Sequence, residues 1–227
     1  MGKHLVIAID GPVGAGKSSV ARTLAARLGF RYLDTGAMYR AVTLKALRLG
    51  TDMEDAEALT GVARSSDIEL IPGEKGPRVL LDGEDVSVAI RSLDVTNNAF
   101  RPSQTPGVRR RMVELQRREA GRGPLVAEGR DMGTVVFKDS PAKFYLDASV
   151  DERARRRHQE HLARGESISI EELKRQIELR DQRDSGRRAS PLARAEDALY
   201  VESSDLSIEQ VVDRMVRVLS EKGLLGE

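Results

Sequence analysis

The chain has 227 residues with 37 Lys+Arg against 36 Asp+Glu, a formal net charge of +1, and neither Cys nor Trp. A chain of this order buries about 70% of its unfolded surface, enough for a sizeable core, and near-neutrality argues against a protein that coats nucleic acid, which needs a basic surplus. The absence of Cys excludes disulfides, thiolate metal sites and a thiol nucleophile, while the basic residues divide unevenly into 29 Arg and 8 Lys.

The first apolar run, Leu5-Val6-Ile7-Ala8-Ile9, stops at Asp10. It is too short for a signal peptide's apolar region or a membrane span, so a cytoplasmic protein with no membrane partner is expected. Its continuous β-prone character reads as a strand buried on both faces of a parallel sheet. Glycines then break the chain from Gly11 to Gly16, and Val20, Leu24 and Leu28 recur at helical spacing. A second strand is predicted over 30–33, a helix over 37–49 stopped by Gly50, and a weaker helix over 53–64. Short β-prone runs at 68–71 and 78–81 flank Pro72-Gly73-Glu74-Lys75-Gly76-Pro77, and Asp82-Gly83 signals a tight turn. These runs predict a small antiparallel insert. Strands follow at 125–127, 143–146 and 199–201, and helices at 153–162, 170–183 and 208–219. Strands alternating with helices make this an α/β protein with a parallel sheet.

Gly11-Pro12-Val13-Gly14-Ala15-Gly16-Lys17-Ser18 has the spacing of a phosphate loop, set between a strand and a helix as that loop requires. Glycines let backbone N–H groups turn inward around phosphate oxygens, Lys17 reaches the β and γ phosphates, and the Ser18 hydroxyl suits Mg²⁺. ATP with Mg²⁺ is the expected cofactor pair, held by Gly11, Pro12, Val13, Gly14, Ala15, Gly16, Lys17, Ser18 and Ser19. A GTPase would carry an Asn-Lys-x-Asp run, which is absent, and the apolar run ending in Glu128 is short for a transport or remodelling ATPase. Arginines concentrate instead, eight in residues 101–130 and ten in 151–190. Such clustering suits a small kinase that must neutralise two sets of phosphates.

Five segments carry a closer likeness: Ile9-Asp10-Gly11-Pro12, Tyr32-Leu33-Asp34-Thr35-Gly36-Ala37-Met38-Tyr39-Arg40, Leu81-Asp82-Gly83-Glu84-Asp85-Val86, Glu128-Gly129-Arg130-Asp131-Met132-Gly133-Thr134-Val135-Val136-Phe137 and Arg180-Asp181-Gln182-Arg183-Asp184. In this order they resemble bacterial cytidylate kinases over about residues 5–220. The resemblance implies a P-loop NTPase fold, α/β, in one kinase domain of three parts. These are a five-stranded parallel core (about 1–34, 106–150 and 191–227), a monophosphate-binding region with a small antiparallel sheet (about 35–105), and a short helical lid (about 151–190).

It also implies transfer of the γ-phosphate of ATP to CMP or dCMP by a protein for which a monomer suffices. By the same resemblance, Thr35, Tyr39 and Arg40 flank the acceptor, with Arg40 on its phosphate, while Arg109 and Asp131 read cytosine. Arg130, Arg180 and Arg187 serve the phosphates beside Lys17, Arg157 assists from the lid, and Asp184 with Arg180 meets the sugar. The chain departs from the family at Phe100, where a base-contacting Ser is usual. Ser103 or a water would replace that contact, or the contact is weaker.

The residue types agree with this chemistry. Cytosine presents an exocyclic amine beside ring acceptors, so a carboxylate and an arginine complement it, whereas uracil places a carbonyl against the carboxylate. A phosphomonoester's second pKa lies near 6, so the attacking oxygen needs no general base, and His4, His158 and His161 are expected as solvated surface residues. Asp131 has an alternative role as the cap of the Met132-Gly133 turn. Of each triple Arg109-Arg110-Arg111 and Arg155-Arg156-Arg157, helical geometry lets one or two side chains face a common site. The competing readings are another nucleoside monophosphate or small-molecule kinase and, outside enzymes, a nucleotide-dependent RNA-binding or regulatory module. A composition of 4% aromatic residues argues against a base-stacking platform.

Overall fold

The computed structural model describes residues 4–71, 73, 77–163, 165–187 and 190–225. In chain order the elements are β1 (Val6–Asp10), α1 (Lys17–Leu28), β2 (Arg31–Asp34), α2 (Thr35–Arg48), α3 (Ala56–Arg64), β3 (Ile68–Ile71), β4 (Arg78–Leu81) and β5 (Glu84–Asp85). Then come α4 (Leu93–Asn98), α5 (Phe100–Gln104), α6 (Pro106–Ala120), β6 (Leu125–Gly129), β7 (Ala142–Asp147), α7 (Val150–Leu162), α8 (Ile170–Ser185), β8 (Leu199–Glu202) and α9 (Ile208–Glu221). Each strand and helix expected from periodicity is present, with ends moved by a few residues. Of the connection expected at 72–77, Pro72, Glu74, Lys75 and Gly76 lie outside the described residues.

Contacts divide the chain into two compact units: residues up to Tyr32 together with Gly123 onward, and Leu33–Arg122. The first is organised by a five-stranded sheet in the order β2-β6-β1-β7-β8, in which β6, β1, β7 and β8 pair in parallel. All five residues of β1 and all five of β6 are buried. Ile7, Ile9 and Phe144 of the sheet pack with Leu24 of α1 and Val212, Met215 and Leu219 of α9. Truncating a fully buried Leu or Phe of this kind to Ala costs about 2–5 kcal/mol. Ser207 opens α9 in a capping box with Gln210, supplying acceptors to N–H groups that the first turn leaves unpaired.

In the second unit, β3, β4 and β5 form an antiparallel sheet. Ile68, Leu70, Val79 and Leu81 are buried, so apolar alternation on two short strands builds one inner face. Among the described residues no helix is long and apolar enough to cross a membrane.

The histidine expectation is corrected in part. His4 is exposed, but His158 is half-buried with Nδ1 2.9 Å from the Ile168 carbonyl oxygen, and His161 is buried with Nδ1 on the Glu166 carboxylate. Residues after α7 fold back along its last turn and bring Ile168 to His158 and Glu166 to His161.

Candidate active site

The phosphate loop is shaped by close backbone approach. A Cβ at Gly11 would lie 1.9 Å from the Leu146 carbonyl oxygen, so only glycine fits where the loop leaves β1 beside β7. Gly16 is the N-cap of α1 in the left-handed conformation (φ 86°) and, being glycine, caps the first turn with no side chain. The N–H groups there are thus left for an anion, which the helix dipole also favours. Ser18, the second residue of α1, is exposed.

Lys17 is buried, and its Nζ donates to the Pro12 carbonyl oxygen at 2.6 Å. Burial pulls its ammonium down to about 7, and Arg130 and Arg180 act in the same direction against Glu128 and Asp10. Asp10, at the end of β1, is pushed up to about 6 by burial, against two backbone N–H groups that favour its charge. The Glu128 carboxylate is buried on β6 and accepts from the Tyr32 hydroxyl at 2.6 Å.

Arg130 and Arg187 converge on one carboxylate. Arg130 Nε donates to Asp184 Oδ2 at 2.9 Å, and Arg187 Nη2 donates to Asp184 Oδ1. Burial pushes the Asp184 carboxyl up, but Arg130, Arg187 and Arg180 outweigh that and hold it below the usual range. The resemblance implies that Asp184, with Arg180, meets the sugar, and in the structure each Asp184 oxygen accepts from an arginine. Arg180 is exposed on α8. Asp131 is buried, and its side chain makes no capping bond to the π-helical turn Met132–Val136. The cap is Asp10, which accepts from Met132 N at 2.8 Å and Gly133 N at 2.7 Å.

The helices α7 and α8 hold the phosphate loop through residues that motif reading passes over. Arg153 is buried and donates to the carbonyls of Ala148 (3.0 Å) and Val13 (3.2 Å) and to Asp181 (2.6 Å). Val13 itself packs on Ala154, Leu173 and Ile177. Arg156 reaches the Ala15 carbonyl at 3.4 Å and pairs with Glu152, which also binds Arg155. Arg157, the expected lid arginine, has Nη2 3.4 Å from His161 Nε2. The spacing 153, 156, 157 is one helical turn and marks a shared face, a signal that points to Arg153 without any motif.

In the second unit, Thr35 is buried at the start of α2, whose N-cap Asp34 accepts from Ala37 N at 2.9 Å. Asp34 also pairs with Arg40 at 3.3 Å, while Arg40 Nε is buried with no protein partner. The Arg109 guanidinium lies 5.9 Å from the centre of the Tyr39 ring, and its Nη1 donates to the Ser103 carbonyl at 3.2 Å. The Ser103 hydroxyl donates to the Phe100 carbonyl at 2.8 Å. The Phe100 ring carries the Arg101 guanidinium at 4.7 Å, and Arg101 pairs with Glu54.

Comparisons with known proteins agree over most of the chain. The family model described as cytidylate kinase matches residues 7–221. A cytidylate kinase of Exiguobacterium sibiricum is 48% identical over 216 residues, covering 95% of this chain and 97% of its own. One of Caldanaerobacter subterraneus subsp. tengcongensis is 49% identical over 221 residues, covering 97% and 96%. The crystal structure of an uncharacterized protein from Eubacterium ventriosum shares the fold with a TM-score of 0.54 at 11% identity, covering 95% of this chain and 98% of that one.

Proposed function

The chain belongs to the cytidylate kinase family, and we propose that it transfers the γ-phosphate of ATP to CMP or dCMP, releasing ADP with CDP or dCDP. The observation that carries this reading is the phosphate loop with its buried Lys17 and uncapped α1 N-terminus, in a chain 48% identical to a cytidylate kinase along nearly its whole length.

Lys17 and the loop Gly11 to Ser19, through its backbone N–H groups other than at Pro12, bind the triphosphate. Arg130, Arg180 and Arg187 balance charge on the transferred group, and Arg157 joins them from α7. Catalysis is positioning and electrostatics, because the attacking phosphate oxygen is already ionised. No carboxylate or histidine is assigned to take a proton. Arg40 takes the acceptor's phosphate, an assignment supported by its partnerless buried Nε. Thr35 and Tyr39 flank the acceptor. Arg109 and Asp131 read the cytosine edge; this is supported by Arg109 being buried and aimed by Ser103. Asp184 aligns Arg130 with Arg187 and meets the sugar only if one of them turns to a phosphate.

The donor set fits Mg²⁺. No cluster of three His, Cys, Asp or Glu is present among the described residues, and Mg²⁺ bound with nucleotides takes few protein ligands besides phosphate oxygens and water. Ser18 supplies the hydroxyl, and the bound ion would neutralise charge shared by the β and γ phosphates. The protein acts as a cytoplasmic monomer on small-molecule substrates, with neither nucleic acid nor membrane as partner. A coupled ATPase assay across CMP, dCMP, UMP, AMP and shikimate tests the reading. Turnover of CMP and dCMP well above the rest is expected, and turnover of another acceptor in their place overturns it.

A further inference from the structure

We propose that Asp10 is a positioning residue for phosphate transfer, a clamp from the end of β1 that holds the Arg130-Asp131 turn in place beside Lys17. The proposal rests on the reading of Arg130 and Asp131 as substrate groups given above.

Both oxygens of this buried carboxylate are used, Oδ1 by Met132 N at 2.8 Å and Oδ2 by Gly133 N at 2.7 Å. Asp10 and Gly129 are register partners in the β1 and β6 pair, so the chain that leaves β6 turns directly over the end of β1. Two charge-assisted hydrogen bonds from consecutive amides fix both position and orientation of that turn. The acid native to the turn does not do this. Asp131 makes no capping bond with its side chain, and its carbonyl accepts from Val135 N and Val136 N at 2.9 and 3.1 Å. A carboxylate from β1 thus takes over the cap.

The fit is tight. A Cβ on Gly133 would meet Asp10 Oδ2 at 3.4 Å and Lys143 Cδ at 3.2 Å. Lys143 is held from behind by Asp197 at 2.9 Å. A larger residue at 133 would thus press on Asp10 and Lys143, and the two amides cannot leave without losing both bonds. Arg130 is then carried from one side by the Asp10 clamp and from the other by Asp184. A displacement of about 1 Å at reacting groups costs on the order of 100-fold in rate, so a clamp at this place acts on catalysis through Arg130 and Asp131 without touching substrate.

Steady-state kinetics with CMP and with UMP as acceptor, on wild type, Asp10→Asn and Gly133→Ala, test the idea together with amide exchange at Met132 and Gly133 by NMR. An Asn offers one acceptor oxygen and turns an NH₂ toward the second amide. Asp10→Asn is expected to lower kcat/KM for CMP by about 10- to 100-fold, to lower the CMP-over-UMP preference, and to leave KM for ATP within about threefold. Exchange at the two amides should accelerate. Gly133→Ala keeps the acid but crowds the turn and should shift the same readouts, which covers an Asp10→Asn chain that does not fold. A wild type active on CMP, with folded variants that keep kcat/KM and the CMP preference within about twofold, overturns the clamp. A wild type inactive on CMP overturns the proposed function instead, and the clamp then stands or falls on whether amide exchange changes.

Discussion

Arg153 Nη1 donates to Asp181 Oδ2 at 2.6 Å, joining α7 to α8, and the same nitrogen donates to the Val13 carbonyl of the phosphate loop at 3.2 Å. One guanidinium thus ties two helices to the loop expected to hold the triphosphate. Arg153→Ala should destabilise the chain by about 2–4 kcal/mol, because a buried carbonyl and a half-buried carboxylate both lose their partner. KM for ATP should rise more than kcat falls, and Arg153→Lys, which keeps the charge but not the fork, should restore part of the stability only. Urea unfolding and steady-state kinetics on both variants check this.

Asp184 separates two cations that would otherwise face each other, with Arg130 and Arg187 only 18% and 10% exposed at their side chains. Asp184→Asn should cost about 3 kcal/mol of stability and roughly 100-fold in kcat/KM, since one arginine keeps an acceptor and the other is left beside it unneutralised. Denaturant titration and the coupled assay separate the two effects.

Replacing Lys17 by Met preserves length and apolar stem while removing the ammonium proposed to meet phosphate. The expected outcome is a fall in kcat of about 10²- to 10³-fold with the fold retained. Circular dichroism and the coupled assay measure it, and a variant with wild-type kcat would remove Lys17 from the mechanism.

Asp131→Asn turns an acceptor into a side chain with both donor and acceptor atoms. If Asp131 reads the base as proposed, cytosine then loses its preferred partner and uracil gains one, so the ratio of kcat/KM for CMP over UMP should fall by about 100-fold or more. The same assay with the two acceptors reads this directly.

The Asp10 carboxyl sits at about 6 in the folded chain against 3.8 ordinarily. The folded state therefore holds this proton more tightly than the unfolded one. Its contribution to stability is present in full below about 3.8 and is lost as pH rises through about 6. Ionising Asp10 at neutral pH thus costs folding about 3 kcal/mol net, a figure that already includes the favourable contribution of its two N–H bonds. The unfolding free energy of wild type minus that of Asp10→Asn should fall by about 2 kcal/mol between about pH 4.5 and about pH 7.5. Urea titrations at the two pH values measure it, and a pH-independent difference would show that Asp10 titrates as it does in the unfolded chain.

Local pattern was legible wherever a residue's environment follows from its neighbours in sequence. Leu5 to Ile9 reads as a buried strand because nothing polar interrupts it. Val20, Leu24 and Leu28 read as a helix face because of their spacing, and Gly11 to Ser18 reads as a phosphate loop because glycine and lysine positions there are set by the phosphate. The two short helices α4 and α5 were not legible, since neither is long enough to display a period.

The site shows the same division among its charged residues. The sequence by itself determined that a phosphate-loop pattern, the family's Thr35-to-Arg40 segment and an excess of Arg over Lys share one α/β chain, because each is written in contiguous residues of restricted type. Only the tertiary structure decided which charges meet. Asp10 caps a turn at Met132 and Gly133 instead of Asp131 doing so, Arg153 and not Arg157 holds Val13, Asp184 lies between two arginines, and His161 is buried against Glu166. Periodicity fixes which face of an element turns inward. The partner waiting there comes from another strand or helix, and several arginines on one helix look alike until packing brings a particular one within hydrogen-bond distance of a buried acceptor.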